Sequence, residues 1–245
     1  MALVQRGYNM IHSDISLLEE KIGYQYSNKE LLKQALTHSS FANEQRINKS
    51  EDYERLEFLG DAVLELVSSE FLFKNNPDMS EGRLTRLRSS MVCEPALAYC
   101  AKDLELHQFI RLGKGEEQTG GRRRDSIISD VMEAVIGSLY LDGGLLVAKN
   151  FIDKFILSDL DNKILFYDAK TVLQEKVQEN PKNTLQYCLI KEEGPDHEKL
   201  FEVEALINGE VVSSGSGKTK KAAEQQAAYK ALLLLRERGY VLKKY

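Results

Sequence analysis

ERLEFLGDAVLELV, residues 54–67, is an apolar run with two carboxylates set into it. Wound as a helix, it spreads Leu56, Phe58, Leu59, Ala62, Val63, Leu64, Leu66 and Val67 nearly all the way round the axis, which is the pattern of a buried central helix. Glu57 and Asp61 then fall four residues apart, on one face and within reach of each other. Two like charges on such a helix are unfavourable, since dehydrating each ion costs on the order of several kcal/mol and repulsion adds to it. A cation offsets both costs. Gly60 points the same way: a glycine inside a helix loses roughly 1 kcal/mol against alanine and marks a place where something packs close to the backbone. The plainer alternative, a cluster of half-solvated surface acids, is disfavoured by the apolar surround.

SIISDVMEAVIGSLYLDGG, residues 126–144, reads as a second mostly apolar helix, with Ser126 as its N-cap and Gly143 as its C-terminal stop. Asp130 and Glu133, three apart, share one face of it. If the two helices pack together, four carboxylates converge on one small volume. Oxygen-only ligands of that kind suit Mg²⁺, with Mn²⁺ as a substitute, far better than zinc. A di-iron bundle wants Glu-x-x-His, and the residue three past Glu133 is Ile136.

A chain of 245 residues accommodates one large domain or two ordinary ones, and 42% hydrophobic with 29% charged residues is ordinary for a globular protein. The net charge of -5 hides an asymmetry: residues 168–245 carry 13 Lys and Arg against 12 Asp and Glu, leaving 20 and 26 for the rest. Nucleic-acid binding must therefore rest on local basic patches. Cys93, Cys100 and Cys188 form no C-x-x-C pair and read as reduced thiols of a cytoplasmic protein. The N-terminus shows no signal peptide and no apolar run approaches a membrane span, so no membrane partner is expected.

Taken in order, the first dozen residues lack periodicity and read as a loose tail. ISLLEEKIG and KELLKQALTHSS are helical, with Gly23 as a stop between them and His38 at the end of the second as a structural hydrogen-bonding residue. After the 54–67 helix, breaks fall at Asn75 to Pro77 and around Pro95. Arg83, Arg86 and Arg88 sit on a helix between those breaks, as either a solvated face or phosphate contacts. RLGKGEEQTGGRRRD, 111–125, reads as a mobile loop or short lid, with Arg122, Arg123 and Arg124 able to hold phosphate but as a basic run more often solvated. LLVAKNFIDKFILSDL closes the first domain as a helix, and DNKILFYD is the linker.

From about residue 168 the text changes character. AKTVLQEKVQE is a short helix ended by Asn180 and Pro181, TLQYCLIKE a strand, and FEVEALI a half-buried strand with Phe201, Val203, Ala205 and Ile207 inward. Asn208-Gly209 is a strong type I′ hairpin signal leading into EVVSSGSG. A long helix, KTKKAAEQQAAYKALLLLRERG, completes an α-β-β-β-α order. GSGKT at 215–219 looks like the end of a nucleotide-binding loop, but the full pattern needs glycine at 212 and this chain has Val212. No nucleotide cofactor is expected. Gly217, Lys218, Lys220 and Lys221 read instead as a helix N-terminus suited to an anion.

ERLEFLGDAVL resembles the signature of the ribonuclease III family, and GRRRDSIISDVMEA resembles that family's second acidic motif. LTHSSFANE at 36–44, EGRLTRLRSS at 81–90 and YLDGG at 140–144 follow in family order, so the resemblance covers nearly the whole chain. GPDHEKLFEVE at 194–204 and GKTKKAAEQQAA at 217–228 are similar to a double-stranded-RNA-binding domain. The resemblance implies two domains, an all-α endonuclease domain followed by a small α+β module. Their extents would be 14–145 for the catalytic domain, 146–167 for the closing helix and linker, and 168–240 for the RNA-binding domain. It makes Glu57, Asp61, Asp130 and Glu133 the metal-binding acids, Asp61 and Glu133 being the catalytic pair most sensitive to change, and Glu54 and Glu81 further acids of the cleft. It places Thr171, Gln174 and Gln178 at one minor groove of duplex RNA, His197 at the next, and Lys218, Lys220 and Lys221 on the phosphates between. Hydrolysis of double-stranded RNA with Mg²⁺, leaving 5′-phosphate and 3′-hydroxyl ends, follows from the resemblance, as do processing of ribosomal RNA precursors and other structured RNAs and a two-fold homodimer supplying a second centre. The alternative from another class is a non-catalytic RNA-binding protein that keeps the nuclease fold; such a protein would be expected to have lost acids, and all four are here.

Overall fold

The computed structural model describes residues 15–46, 51–158, 169–195 and 199–237. The chain divides into two compact units, Met1–Ser158 and Asp159–Tyr245. The N-terminal tail and the DNKILFYD linker expected from the sequence lie outside the described residues.

In the first unit the described residues fold into helices α1 (Ile15–Ile22), α2 (Lys29–Ala35), α3 (Ser39–Gln45), α4 (Glu54–Asn75), α5 (Glu81–Val92), α6 (Glu94–Cys100), α7 (Lys114–Gln118) and α8 (Asp125–Phe155), with short 3₁₀ turns at Leu106–Gln108 and Gly121–Arg123. Gly23, at φ +83°, ends α1 as expected. KELLKQALTHSS is not one helix. It breaks after Ala35, and His38 is the N-cap of α3, its side chain accepting the Ser40 amide hydrogen. A side-chain acceptor at that point satisfies an orphan N–H of the new helix, which the apolar spacing alone does not reveal.

Helices α4 and α8 are the spine of this unit, packed along each other with Leu64, Leu72, Met132, Ile136 and Leu139 fully buried around them. The N-cap of α8 is Arg124, two residues before the Ser126 expected from the sequence: Ile128 N–H already donates to Arg124 O, and Arg124 makes no side-chain cap. Nor does Gly143 stop the helix. The break falls at Gly144, at φ +78° and ψ -178°, and a second helical segment runs on to Phe155. An 18-residue window of α8 is apolar enough for a membrane span by length and composition, with mean hydropathy 1.5, contrary to the expectation that no run comes near one. Half of that window is buried inside the protein, where α8 serves as a core helix.

The second unit has the order α9 (Ala169–Gln178), β1 (Leu185–Glu193), β2 (Leu200–Ile207), β3 (Glu210–Gly217) and α10 (Lys220–Glu237), with one antiparallel sheet in the order β1-β2-β3. Asn208 and Gly209 both take positive φ, +55° and +82°, the type I′ geometry that sets the Ile207 to Glu210 register. Val203 and Ala205 are buried, while Phe201 and Ile207 are half-buried. Helix α10 packs on β2 and β3. The glycines of GSGKT serve that contact: a Cβ on Gly215 would lie 2.3 Å from Ala227 N, and one on Gly217 2.8 Å from Ala223 N.

Candidate active site

The site begins with two glycines. A Cβ on Gly60 would lie 1.8 Å from the Glu133 carbonyl oxygen and 2.9 Å from Gly137 N; one on Gly137 would lie 2.2 Å from the Leu56 carbonyl oxygen. Helices α4 and α8 therefore cross backbone to backbone. Glu57 and Asp61 on one, and Asp130 and Glu133 on the other, flank this crossing. Gly60 was legible in the sequence as a close approach; its counterpart Gly137 was missed, although a glycine inside the apolar AVIGSLY run carries the same signal.

The crossing makes the carboxylates feel burial and one another. Loss of hydration, then the charges of Asp61, Glu57 and Asp130, push Glu133 up to about 8. Burial, then Asp130, Glu54 and Asp61, push Glu57 up to about 7. Burial also raises Asp130, against the hydrogen bond it accepts from Tyr53. Tyr53, at the N-cap of α4, donates from its hydroxyl to Asp130 Oδ2 at 3.3 Å and was not singled out from the sequence. The four acids share one electrostatic neighbourhood, but among the described residues no three His, Cys, Asp or Glu side chains are gathered at ligating distance. Bringing them onto one ion requires side-chain movement. Their chemistry fits a hard divalent cation, being all oxygen and mutually repelling, with Glu57, Asp130 and Glu133 half-buried and Asp61 exposed. Glu54 and Glu81 are exposed, each at the first residue of its helix.

Several arginines resolve into structural roles. Arg122 pairs with Glu117 and donates at 2.8 Å to the carbonyls of His107 and Ile110, which fastens the 111–125 segment. Arg124 pairs with Glu116 at 2.7 Å and Arg88 with Glu65 at 2.7 Å. Arg83, Arg86 and Arg123 are exposed.

Away from the acids, α4 is not buried all round, as its composition suggested. Phe58 is 81% exposed, Leu66 58% and Phe73 73%. Leu141, Leu145 and Leu146 on α8 are exposed too, and Phe58 and Leu141 both line a cavity of about 580 Å³ with Gln34, Arg55 and Leu59. Phe58, Leu66 and Phe73 recur at eight- and seven-residue spacing and so share one face of α4.

In the second unit, Thr171, Gln174 and Gln178 lie on α9 at three- and four-residue spacing, opposite the buried Val172, Leu173 and Val177. Thr171 and Gln178 are exposed and Gln174 half-buried. Lys218 follows β3, and Lys220 and Lys221 open α10, all three exposed, with Thr219 Oγ1 accepting the Ala222 amide hydrogen at 3.1 Å. His197 lies outside the described residues.

A helical unit with a carboxylate-lined crossing, followed by an α-β-β-β-α module, defines the class: a nuclease-type domain joined to an RNA-binding fold. A family model described as Ribonuclease-III-like matches residues 28–160, and one described as double-stranded RNA binding motif matches residues 169–235. The chain is 46% identical over 217 residues to Ribonuclease 3 of Listeria monocytogenes, covering 88% of this chain and 95% of that one. It is 49% identical over 222 residues to Ribonuclease 3 of Pelotomaculum thermopropionicum, covering 89% and 92%. The solved nuclease domain of ribonuclease III from Campylobacter jejuni, whose structure concerns a region involved in dimer formation, is 43% identical with a TM-score of 0.55, covering 58% of this chain and 96% of that one. The chain belongs to the ribonuclease III family.

Proposed function

We propose that the protein is an endoribonuclease that hydrolyses phosphodiester bonds of double-stranded RNA with Mg²⁺, leaving 5′-phosphate and 3′-hydroxyl ends, and that it processes ribosomal RNA precursors and other structured RNAs in the cytoplasm. The observation that carries this reading is the glycine-to-glycine crossing of α4 and α8, which brings Asp61 beside Glu57, Asp130 and Glu133, three acids whose ionisation burial opposes. Such a cluster has a use for divalent cations. When bound, the ions supply charge neutralisation at the scissile phosphate and activation of the attacking water. The chain's own part is to hold them: Asp61 and Glu133 as the most sensitive ligands, Glu57 and Asp130 completing the set. Glu133 and Glu57 give up the protons that burial favours as they become ligands, so binding releases protons.

The second unit holds the substrate. Thr171, Gln174, Gln178 and His197 meet 2′-hydroxyls in the minor groove of an A-form duplex, and Lys218, Lys220 and Lys221 meet phosphates. The domain limits that go with this are 14–145 for the catalytic domain, 146–167 for the closing helix and linker, and 168–240 for the RNA-binding domain. One set of acids cuts one strand, so severing a duplex calls for two. The exposed strip of Phe58, Leu66 and Phe73 on α4, with Leu141 and Leu145 on α8, supports a two-fold homodimer.

The test is incubation of the purified protein with long duplex RNA, with and without Mg²⁺, beside single-stranded RNA and duplex DNA. Cleavage of duplex RNA alone, dependent on Mg²⁺, is expected. Tight duplex binding with no cleavage at any Mg²⁺ concentration would overturn the catalytic reading.

A further inference from the structure

Tyr53 touches both carboxylate-bearing helices. Its backbone carbonyl accepts the amide hydrogens of Leu56 and Glu57, at 2.8 and 2.9 Å, and so closes the first turn of α4 beneath Glu57. Its hydroxyl reaches across to α8 and donates to Asp130 Oδ2 at 3.3 Å. The residue is 4% exposed, so this hydroxyl is a buried polar group whose hydrogen bond is made to a carboxylate and not to bulk water.

The ring is held from several sides. Tyr53 N–H donates to Thr37 O at 2.9 Å, and His38 meets the ring edge to face, with centroids 5.5 Å apart at 61°. His38 is itself fixed by its α3 cap, its Nδ1 accepting from Ser40 N at 3.0 Å, while Ser40 Oγ accepts from Gly113 N at 2.9 Å. A phenol locked in this way has little freedom to follow Asp130. Asp130 must instead take the position that Tyr53 offers.

We propose that Tyr53 is a positioning residue of the acid cluster, orienting the Asp130 carboxylate toward the ion that Asp130 shares with the other acids. This rests on the reading of the four acids as metal ligands. A carboxylate that accepts a hydrogen bond on one oxygen keeps the other oriented for a ligand, which is how second partners of metal-ligating side chains ordinarily act. The phenol is suited to the task because, as a neutral donor, it fixes a carboxylate without supplying a competing charge.

The experiment compares the full-length protein with Tyr53→Phe, Asp130→Ala and the double variant, reading Mn²⁺ affinity by electron paramagnetic resonance and duplex-RNA cleavage against Mg²⁺ concentration. Phenylalanine keeps the ring against His38 and removes only the hydroxyl. Tyr53→Phe is expected to weaken Mn²⁺ binding and raise the Mg²⁺ concentration for half-maximal cleavage by about tenfold, the size of one lost hydrogen bond to a charged group. In the Asp130→Ala background the same change should cost nothing further. An equal loss in both backgrounds would mean that the hydroxyl supports the fold and not Asp130, and would overturn the proposal, as would parent-like affinity of Tyr53→Phe beside a weakened Asp130→Ala. If Asp130→Ala itself binds Mn²⁺ as the parent does, the metal reading fails, and the proposal fails with it.

Discussion

The two units carry charge in opposite ways. At the α4–α8 crossing Glu57, Asp130 and Glu133 are half-buried beside the exposed Asp61, and burial with mutual repulsion lifts Glu133 to about 8 and Glu57 to about 7. On the second unit, Lys218, Lys220 and Lys221 stand exposed at the start of α10, where water and salt screen them. Buried charges of one sign act as a set, because each alters the cost of the others. Exposed ones act nearly independently, because water and salt screen each from the others.

The sharpest way to break that contrast is to remove one acid. Asp61→Ala or Glu133→Ala should lower cleavage in Mg²⁺ by roughly two or more orders of magnitude, as expected when a metal ligand is lost, while leaving duplex-RNA binding in Ca²⁺ near the parent level. Gel-based cleavage and filter binding measure the two. Cleavage within a factor of about two of the parent would dissolve the set into independent surface acids.

Next in size is the backbone contact that makes the set. Gly60→Ala places a methyl 1.8 Å from the Glu133 carbonyl oxygen, a clash that only separation of the helices relieves. The expected destabilisation is about 1–3 kcal/mol, read from denaturant melts. An unchanged midpoint would mean that the helices do not cross as closely as described.

Smallest per residue are the lysines. Each Lys→Ala change at 218, 220 or 221 should flatten the dependence of log affinity on log salt by roughly one unit if it removes one phosphate contact, with losses that add. Strong non-additivity would make the exposed cluster behave like the buried one.

The same contrast explains what was legible beforehand. Asn208-Gly209, Val212 in place of a nucleotide-loop glycine, and the acid pairs at i,i+4 and i,i+3 are local signals, and local signals survive in a bare sequence. Gly60 was readable because a glycine inside an apolar helix calls for a reason, and Gly137 was open to the same argument. The outward turn of Phe58, Leu66 and Phe73 was not legible, since apolar spacing is identical for a side chain buried in its own core and one awaiting another surface. The capping role of His38 and the reach of Tyr53 to Asp130 were hidden as well, because each depends on contacts between elements and not on spacing within one.

Whether a divalent cation neutralises the acids of the crossing is read by thermal melting against pH. In EDTA, Glu133 and Glu57 keep in the fold protons that they lose on unfolding, their folded values standing at about 8 and about 7 against an ordinary 4.5. Their contribution to stability is therefore fully present below about pH 4.5 and is lost as pH rises through about 7 and 8. The metal-free protein is expected to melt progressively lower from about pH 5 to about pH 8.5, Mg²⁺ to restore the loss at the upper end, and Glu133→Gln to show a shallower fall and a smaller Mg²⁺ response. Melting temperatures that stay flat across that range, unmoved by Mg²⁺ and alike in parent and variant, would contradict it.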